Sequence, residues 1–492
     1  MYSRWQVAIH RAIKTKTMGE CIMTTRALFF APSSSANINA LAEYSWNANA
    51  GTAATVTFAF DAPYTGTVAL NAAQQANTLL ALAEWAKVAN VTFTQISGNA
   101  QLDFGYGDLS AMGADVAGVA YQTLSGDVLT EVDVVIDDGV TDDLVRGEDG
   151  YRIMLHEIGH ALGLKHPFEG TPQLSAALDN NSFTLMSYDV NAYANVTPMI
   201  GDIAAIQYIY GANTTTTAGD NTYTYHYASG TNNIGSGAQT IWDASGTDAI
   251  QATGDSAVTT IDLRAGINHF STIGVSKIWI HDGVVIENAF GAASQDTING
   301  NSSNNRLFAG LGTDTVSGNE GNDTICGGIT FADSVDTADV LYGNAGNDII
   351  YGNGGDDSIF GGSALSDAAE TGNDILYGGA GADKLYGNGG NDTLVGAVGN
   401  DTLYGGGGDD RFVMNSGGGI DWILPFQGAG AAGGDVLKID ANINGTGITT
   451  AAQVIARATS DGTHSWVDLG GGNGVLVLFT LGLLNADDVL VL

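Results

Sequence analysis

Three histidines and a glutamate fall within one short stretch, His156-Glu157-Ile158-Gly159-His160-Ala161-Leu162-Gly163-Leu164-Lys165-His166. On a helix, residues four apart share a face, so His156 and His160 offer two imidazoles to one metal ion, with Glu157 beside them. Gly163 can take the left-handed conformation that ends a helix without a Cβ penalty, and the reversed chain then carries His166 back as a third ligand. Three imidazoles leave a coordination position open. Water held there would have its pKa lowered to about 7, and Glu157 is placed to take its proton. This is chemistry for cleaving an amide. An amphipathic helix with incidental histidines would account for a bare HExxH, but not for the added Gly163 and His166.

These residues resemble the HExxHxxGxxH pattern of the metzincin zinc proteases. With Pro167 after the third histidine and Thr184-Leu185-Met186-Ser187-Tyr188 downstream, the stretch looks like the serralysin branch. The resemblance implies a zinc endopeptidase in which Met186 forms an apolar floor under the metal, although a plain core methionine would look the same. It also implies that Tyr188 is a further, displaceable ligand that swings away to stabilise the oxyanion of the tetrahedral intermediate. The loop over residues 167–183 is short for that family, so the subsite preferences of its members do not carry over.

The elements that must hold this site can be traced by periodicity. Val56, Phe58 and Phe60 alternate with small polar neighbours as in a strand, and Leu79, Leu80, Leu82, Ala83 and Trp85 fit a helix over residues 72–88 packed on a sheet. Residues 91–96 and 101–109 return to strand character. Residues 118–124 and 132–138 read as neighbouring strands leading into the histidine helix. In the resembled family an edge strand of this sheet pairs with extended substrate, a role that residues 118–124 would fill; an ordinary internal strand is the other reading. Residues 201–213, with Ile203, Ile206 and Ile209 or Tyr210 on one face, form a helix closing the domain.

From Gly291 to Val413 the chain repeats with a period of nine, as in Gly318-Asn319-Glu320-Gly321-Asn322-Asp323-Thr324-Ile325-Cys326. Each unit fits GGxGxDxUx: glycines permit the tight turn, Asp and backbone carbonyls supply hard oxygen ligands for calcium, and the apolar residue faces a core. The carboxylates expected to bind calcium are Asp296, Asp314, Asp323, Asp339, Asp348, Asp357, Asp374, Asp383, Asp392, Asp401 and Asp410; Asn305 stands in for Asp in a weak second unit. Two units carry insertions, which must bulge outward without breaking the stack. Without calcium the carboxylates would repel and no adequate core would form, so folding and ion binding are expected to be coupled. A flexible Gly/Asp linker is the other reading, and the strict recurrence of Asp two residues before an apolar side chain favours a parallel β-roll over it. Between the domains, residues 214–290 resemble the serralysin segment entering the calcium-binding domain, which implies Asp243, Asp248 and a Gly219 carbonyl as further calcium ligands.

The net charge of −37, from 53 acidic against 16 basic side chains, excludes nucleic acid as a partner, and divalent cations are the better explanation for the acid. No apolar run is long enough to span a bilayer. Cys21 and Cys326 are too few and too far apart for a disulfide framework; Cys21 is either a thiolate cap on the zinc or a bystander. Residues 1–22, which hold Arg4, Arg11, Lys14 and Lys16, are either an over-extended start or a flexible leader. The terminal Asn485-Ala486-Asp487-Asp488-Val489-Leu490-Val491-Leu492 resembles the uncleaved signal of type I secretion substrates; a β-cap for the roll is the alternative, and both can hold. The expected architecture is α+β: a zincin catalytic domain over residues 23–213, a β-rich bridge over 214–290, a parallel β-roll over 291–413 and a β-rich cap with secretion signal over 414–492. The expected function is that of a secreted, monomeric, calcium-stabilised zinc endopeptidase acting on proteins or peptides. The rival is a calcium-dependent surface or adhesion protein with a relic or accessory protease domain.

Overall fold

The computed structural model describes residues 35–47, 49–114, 116–126, 128–189, 194–226, 237–254, 258–331, 335–363, 371–428, 434–479 and 484–492; the leader and Cys21 lie outside them. The N-terminal part contains the helices α1 (Ala36–Leu41), α2 (Ala72–Val88), α3 (Asp149–Ala161) and α4 (Ile200–Tyr210). Its strands are β1 (Ala54–Ala59), β2 (Val68–Ala69), β3 (Val91–Gln95), β4 (Leu102–Gly107), β5 (Gly118–Ser125) and β6 (Val128–Asp137). They form one sheet in the order β3-β1-β4-β6-β5, with β2 against β4. All pairs along that path are parallel except β5 with β6, which run antiparallel with Ala120 opposite Val134. Strand β5 therefore lies at one edge of the sheet, as one reading of residues 118–124 had it, and β3 lies at the other.

Helix α2 starts at a reciprocal cap between Asn71 and Gln74, which satisfies two backbone donors left open at a helix start. Its buried face is Gln74, Thr78, Ala81, Leu82, Glu84, Trp85 and Val88, whereas Leu79 and Leu80 are 42% and 48% exposed. The expectation that Leu79, Leu80 and Ala83 pack on the sheet is thus corrected, while Leu82 and Trp85 are buried. The indole of Trp85 donates to the Leu155 carbonyl at 3.1 Å and ties α2 to α3, and that anchor decides which face turns inward. The buried Glu84 on the same face is neutralised by Arg146 at 2.5 Å.

From Thr222 onward the chain winds between two sheets, one of 14 strands and one of 11. Over residues 296–437 each coil contributes one short strand to each sheet and successive coils pair in parallel, whereas residues 259–280 and 458–479 include antiparallel pairs. One sheet stacks Val316, Leu341, Ile359, Leu385 and Leu403, and the other stacks Ile325, Ile350, Leu376, Leu394 and Phe412. All ten side chains are fully buried, and the single apolar core they belong to runs from Tyr225 to Val489. A nonapeptide is half a coil, which explains the period: every ninth residue returns the apolar side chain to the axis from the opposite sheet. Pairing continues across both insertions. One position beyond the core residue the side chains face outward and stack, Tyr342 on Phe360, Tyr386 and Tyr404 at 4.9, 4.8 and 4.6 Å. The matching row of the other sheet has Cys326 between Phe308 and Tyr351, and Phe331 from the insertion fills the gap, 5.0 Å and 4.9 Å from its neighbours. An α+β domain followed by a parallel β-roll is the fold the sequence called for.

Candidate metal centre

Helix α3 carries His156 and His160 on one face, and both are buried. Two side chains from distant segments satisfy carbonyls at its C-terminus: Trp46 Nε1 donates to Ala161 O and the Tyr210 hydroxyl donates to Leu162 O, each at 2.9 Å. Gly163 follows with φ +98°. A Cβ there would lie 2.0 Å from the Tyr44 carbonyl oxygen, so glycine is required by close approach as well as by conformation. The chain then reverses and brings His166 to the pair, with its Nε2 3.3 Å from His156 Nε2 and 3.0 Å from His160 Nε2.

The other nitrogen of each ring shows what this convergence is for. His156 Nδ1 meets the Leu185 carbonyl at 2.8 Å, His160 Nδ1 the Leu164 carbonyl at 2.9 Å, and His166 Nδ1 the Glu169 carboxylate at 2.9 Å. Carbonyl oxygens only accept, so Nδ1 of His156 and of His160 carries the proton and Nε2 of each presents a lone pair, while His166 Nδ1 lies beside the Glu169 carboxylate without hydrogen-bond geometry. Three ring nitrogens converging on one point fit a cation among them, and tethering of the far nitrogen, as in His156 and His160, is how metal-ligating imidazoles are oriented. The residues fit a zinc ion. Burial, then the neighbouring His166, holds His156 well below the usual imidazole range, which keeps its lone pair available.

Glu157 is fully buried, which raises its carboxyl well above the ordinary carboxylate range, and neither of its oxygens has a hydrogen-bond partner among the described residues. Room for it comes from Gly118 at the start of β5: a Cβ at that glycine would lie 2.9 Å from Glu157 Oε1. Gln122, further along the edge strand, donates through Nε2 to the His160 carbonyl and fixes β5 against α3. The Tyr188 hydroxyl lies 2.9 Å from His166 Nε2, on the metal side of the ring. Met186 is fully buried, and its sulfur lies where a Cβ on Gly159 would meet it at 2.8 Å, beneath the helix that carries the histidines.

Several residues of this centre carry no signal in the sequence motif. Asp202, in the first turn of α4, accepts from Leu185 N at 2.7 Å and Met199 N at 2.9 Å through Oδ2, and from the Thr184 hydroxyl at 2.5 Å through Oδ1. It pins Leu185, the residue whose carbonyl holds His156. Burial pushes its carboxyl up to about 6 even against these three donors. Substituting Asp202 by Ala is therefore expected to weaken zinc binding about 10- to 100-fold while leaving every ligand in place, a loss readable by competition with a chelator. Phe168 stacks on His166 with ring planes 4° apart and touches Tyr188, at centroid distances of 5.1 and 4.9 Å. An acidic residue in the first turn of a helix, as at Asp202, is the only hint that could have been read beforehand.

In the roll, the expected calcium carboxylates stack on one another. The N–H of each donates to Oδ1 of its counterpart one coil on, as in Asp296 to Asp314 at 2.7 Å, Asp357 to Asp383 at 2.9 Å and Asp383 to Asp401 at 2.9 Å. Asp323, Asp348, Asp374, Asp392 and Asp410 belong to the alternate row. The second oxygen is left over: Oδ2 of Asp314, Asp323, Asp339, Asp357, Asp383, Asp401 and Asp410 is buried with no hydrogen-bond partner among the described residues. It faces the first glycine of the unit, where a Cβ would lie 2.1 Å from Asp323 Oδ2 at Gly318 and 2.4 Å from Asp383 Oδ2 at Gly378. Orphaned carboxylate oxygens in a cradle of glycine carbonyls fit a hard dication.

The rows continue past the expected units to the buried Asp421 and Asp435, which accept from Asp401 N and Asp410 N at 3.0 and 3.1 Å. The pattern Asp-x-apolar at both positions would have revealed them. In the bridge, the Gly219 carbonyl and Asp248 Oδ1 converge beside Gly246, while Asp243 Oδ2 is taken by the Tyr223 hydroxyl at 2.5 Å; Glu287, bonded to Asp248 N at 2.7 Å, joins this group.

Residues 45–211 match the matrixin family, and residues 290–328, 334–364, 368–394 and 386–423 match the RTX calcium-binding nonapeptide repeat in four copies. The chain is 35% identical over 269 residues to the metallopeptidase AprA of Pseudomonas marginalis and 34% identical over 276 residues to serralysin C of Dickeya chrysanthemi; each match covers 48% of this chain and 55% of the relative. Serralysin G of Dickeya chrysanthemi is 35% identical over 304 residues, 53% of this chain and 63% of that one. The chain thus spans little more than half the length of these relatives. The chain carries a matrixin-family domain with a histidine triad able to bind zinc, joined to RTX repeats that bind calcium, and it is similar over about half its length to the serralysins.

Proposed function

We propose that this chain is a zinc-dependent endopeptidase that hydrolyses protein or peptide substrates outside the cell. The observation that carries the reading is the convergence of three buried, pre-oriented Nε2 atoms beside a buried glutamate with both oxygens unoccupied. His156, His160 and His166 hold the zinc, which when bound supplies Lewis-acid polarisation and lowers the pKa of water. Glu157 accepts a proton from the attacking water and returns it to the leaving amine nitrogen. The Tyr188 hydroxyl, already on the metal side of His166, leaves that contact and donates to the oxyanion of the tetrahedral intermediate. Substrate lies extended along the outer edge of β5, which pairs with no strand among the described residues, so that Gly118 to Gln122 run past Glu157. The calcium-dependent roll suits export as an unfolded chain through a type I apparatus, with folding completed where calcium is plentiful.

Cleavage of unfolded casein by the full chain in calcium should be lost on removing zinc with a selective chelator and regained on restoring it. Folded, zinc-loaded protein that cleaves neither casein nor a peptide library would overturn this reading.

A further inference from the structure

One turn of the roll is built differently from the rest. In the regular coils, the N–H of the fourth residue of a unit donates to the carbonyl of the third residue one coil on, as in Gly321 to Ala345, Gly355 to Ala380 and Gly390 to Gly407, at 2.8–2.9 Å. At Gly312 the acceptor is instead a side chain. Its N–H donates to Asp336 Oδ1 at 3.3 Å, and the same oxygen accepts from Thr337 N at 2.9 Å. These two bonds place the Asp336 carboxylate between successive turns, residues 312–314 and 336–339. The third position is Ala345, Gly354, Ala380, Gly389, Val398 or Gly407 in other units, and the Glu320 side chain is exposed; Asp336 is 8% exposed.

The turns it joins carry Asp314 and Asp339, with Asp357 one coil further. Asp314 N donates to Asp339 Oδ1 and Asp339 N to Asp357 Oδ1, both at 2.8 Å. All three carboxylates are at least 98% buried, and each keeps an Oδ2 with no hydrogen-bond partner among the described residues. Asp336 lies near enough to raise the carboxyl pKa of all three, adding to burial, which is the main cause; Asp339 is pushed up to about 9. Four carboxylates share buried space at neutral pH only by taking up protons or a counter-charge, and a set made only of hard oxygens fits Ca2+.

We propose that Asp336, delivered by the insertion before Asp339, is an additional carboxylate ligand of a Ca2+ site shared by the turns of Asp314 and Asp339, and that this site fills first in the roll. Its extra negative charge raises its affinity over the regular sites. The inference rests on the reading that the roll binds calcium.

The test is equilibrium calcium titration of the full chain, reading the stepwise affinities and the calcium midpoint of the β-sheet circular dichroism signal. Asp336→Asn keeps an Oδ1 acceptor for Gly312 and Thr337 and removes only the charge. It should weaken the tightest step about tenfold and move the folding midpoint upward. Asp487→Asn, an exposed charge control, should change neither. An unchanged tightest step and midpoint in Asp336→Asn would overturn the proposal. So would destabilisation of Asp336→Ala at saturating calcium with Asp336→Asn unaffected, because Asp336 would then be a turn acceptor only. A wild-type chain that binds no calcium overturns the roll reading as well, which separates the two failures.

Discussion

Replacing Glu157 by Gln should lower kcat/KM for peptide hydrolysis about 1,000-fold or more, close to 4 kcal/mol of transition-state stabilisation, while one zinc per chain is retained. The amide has the shape of the carboxylate but cannot take a proton from water. The ligands are unaffected because their orientation depends on Leu185, Leu164 and Glu169 rather than on Glu157. Gln has the shape of Glu157 and carries no charge, so the buried pocket takes the variant without a new desolvation cost. Zinc content by metal analysis, together with initial rates on a quenched peptide, checks both halves. Retained hydrolysis with zinc bound would exclude Glu157 as the base, and loss of zinc would make it a structural support of the triad.

The second large effect concerns the roll and its dependence on pH. Burial pushes the carboxyls of Asp314, Asp323, Asp383 and Asp410 up to about 7 and those of Asp357 and Asp421 up to about 8. Each folded value lies above the unfolded value of 3.8, so the fold favours the protonated acid. Stability from protonation is complete below the unfolded value and is lost as pH rises through the folded ones, from about 6 to about 9. Without calcium, the roll should therefore hold more β structure near pH 4.5 than near pH 8. At pH 8, chelation should abolish most of the roll's circular dichroism and hydrogen-exchange protection, and calcium should restore both. Relief of mutual repulsion on a chain of net charge −37 acts in the same direction. A chelated chain better ordered at pH 8 than at pH 4.5 would contradict this account.

What the sequence determined by itself rests on local geometry. His156 and His160 meet because a helix repeats nearly every four residues, and His166 returns because Gly163 can adopt a positive φ. The nonapeptide period specifies the roll because each unit repeats the same half-coil, so one alignment of Asp and apolar residues settles both the turn carboxylates and the core. These relations hold whatever the rest of the chain does.

Tertiary structure decided everything that depends on residues meeting across the chain. Leu79 and Leu80 face solvent because Trp85 anchors α2 by another face. Asp202 reaches His156 only through the Leu185 peptide, and Gly118 makes room for Glu157 only because β5 is laid against α3. Glu169 and Phe168 engage His166 from the loop that follows it. Asp336 enters the turn of Asp314 because its side chain, at a position held by small residues in most other units, accepts from Gly312 N across the stack. No periodicity encodes such contacts, because they are fixed by how elements pack rather than by spacing along the chain.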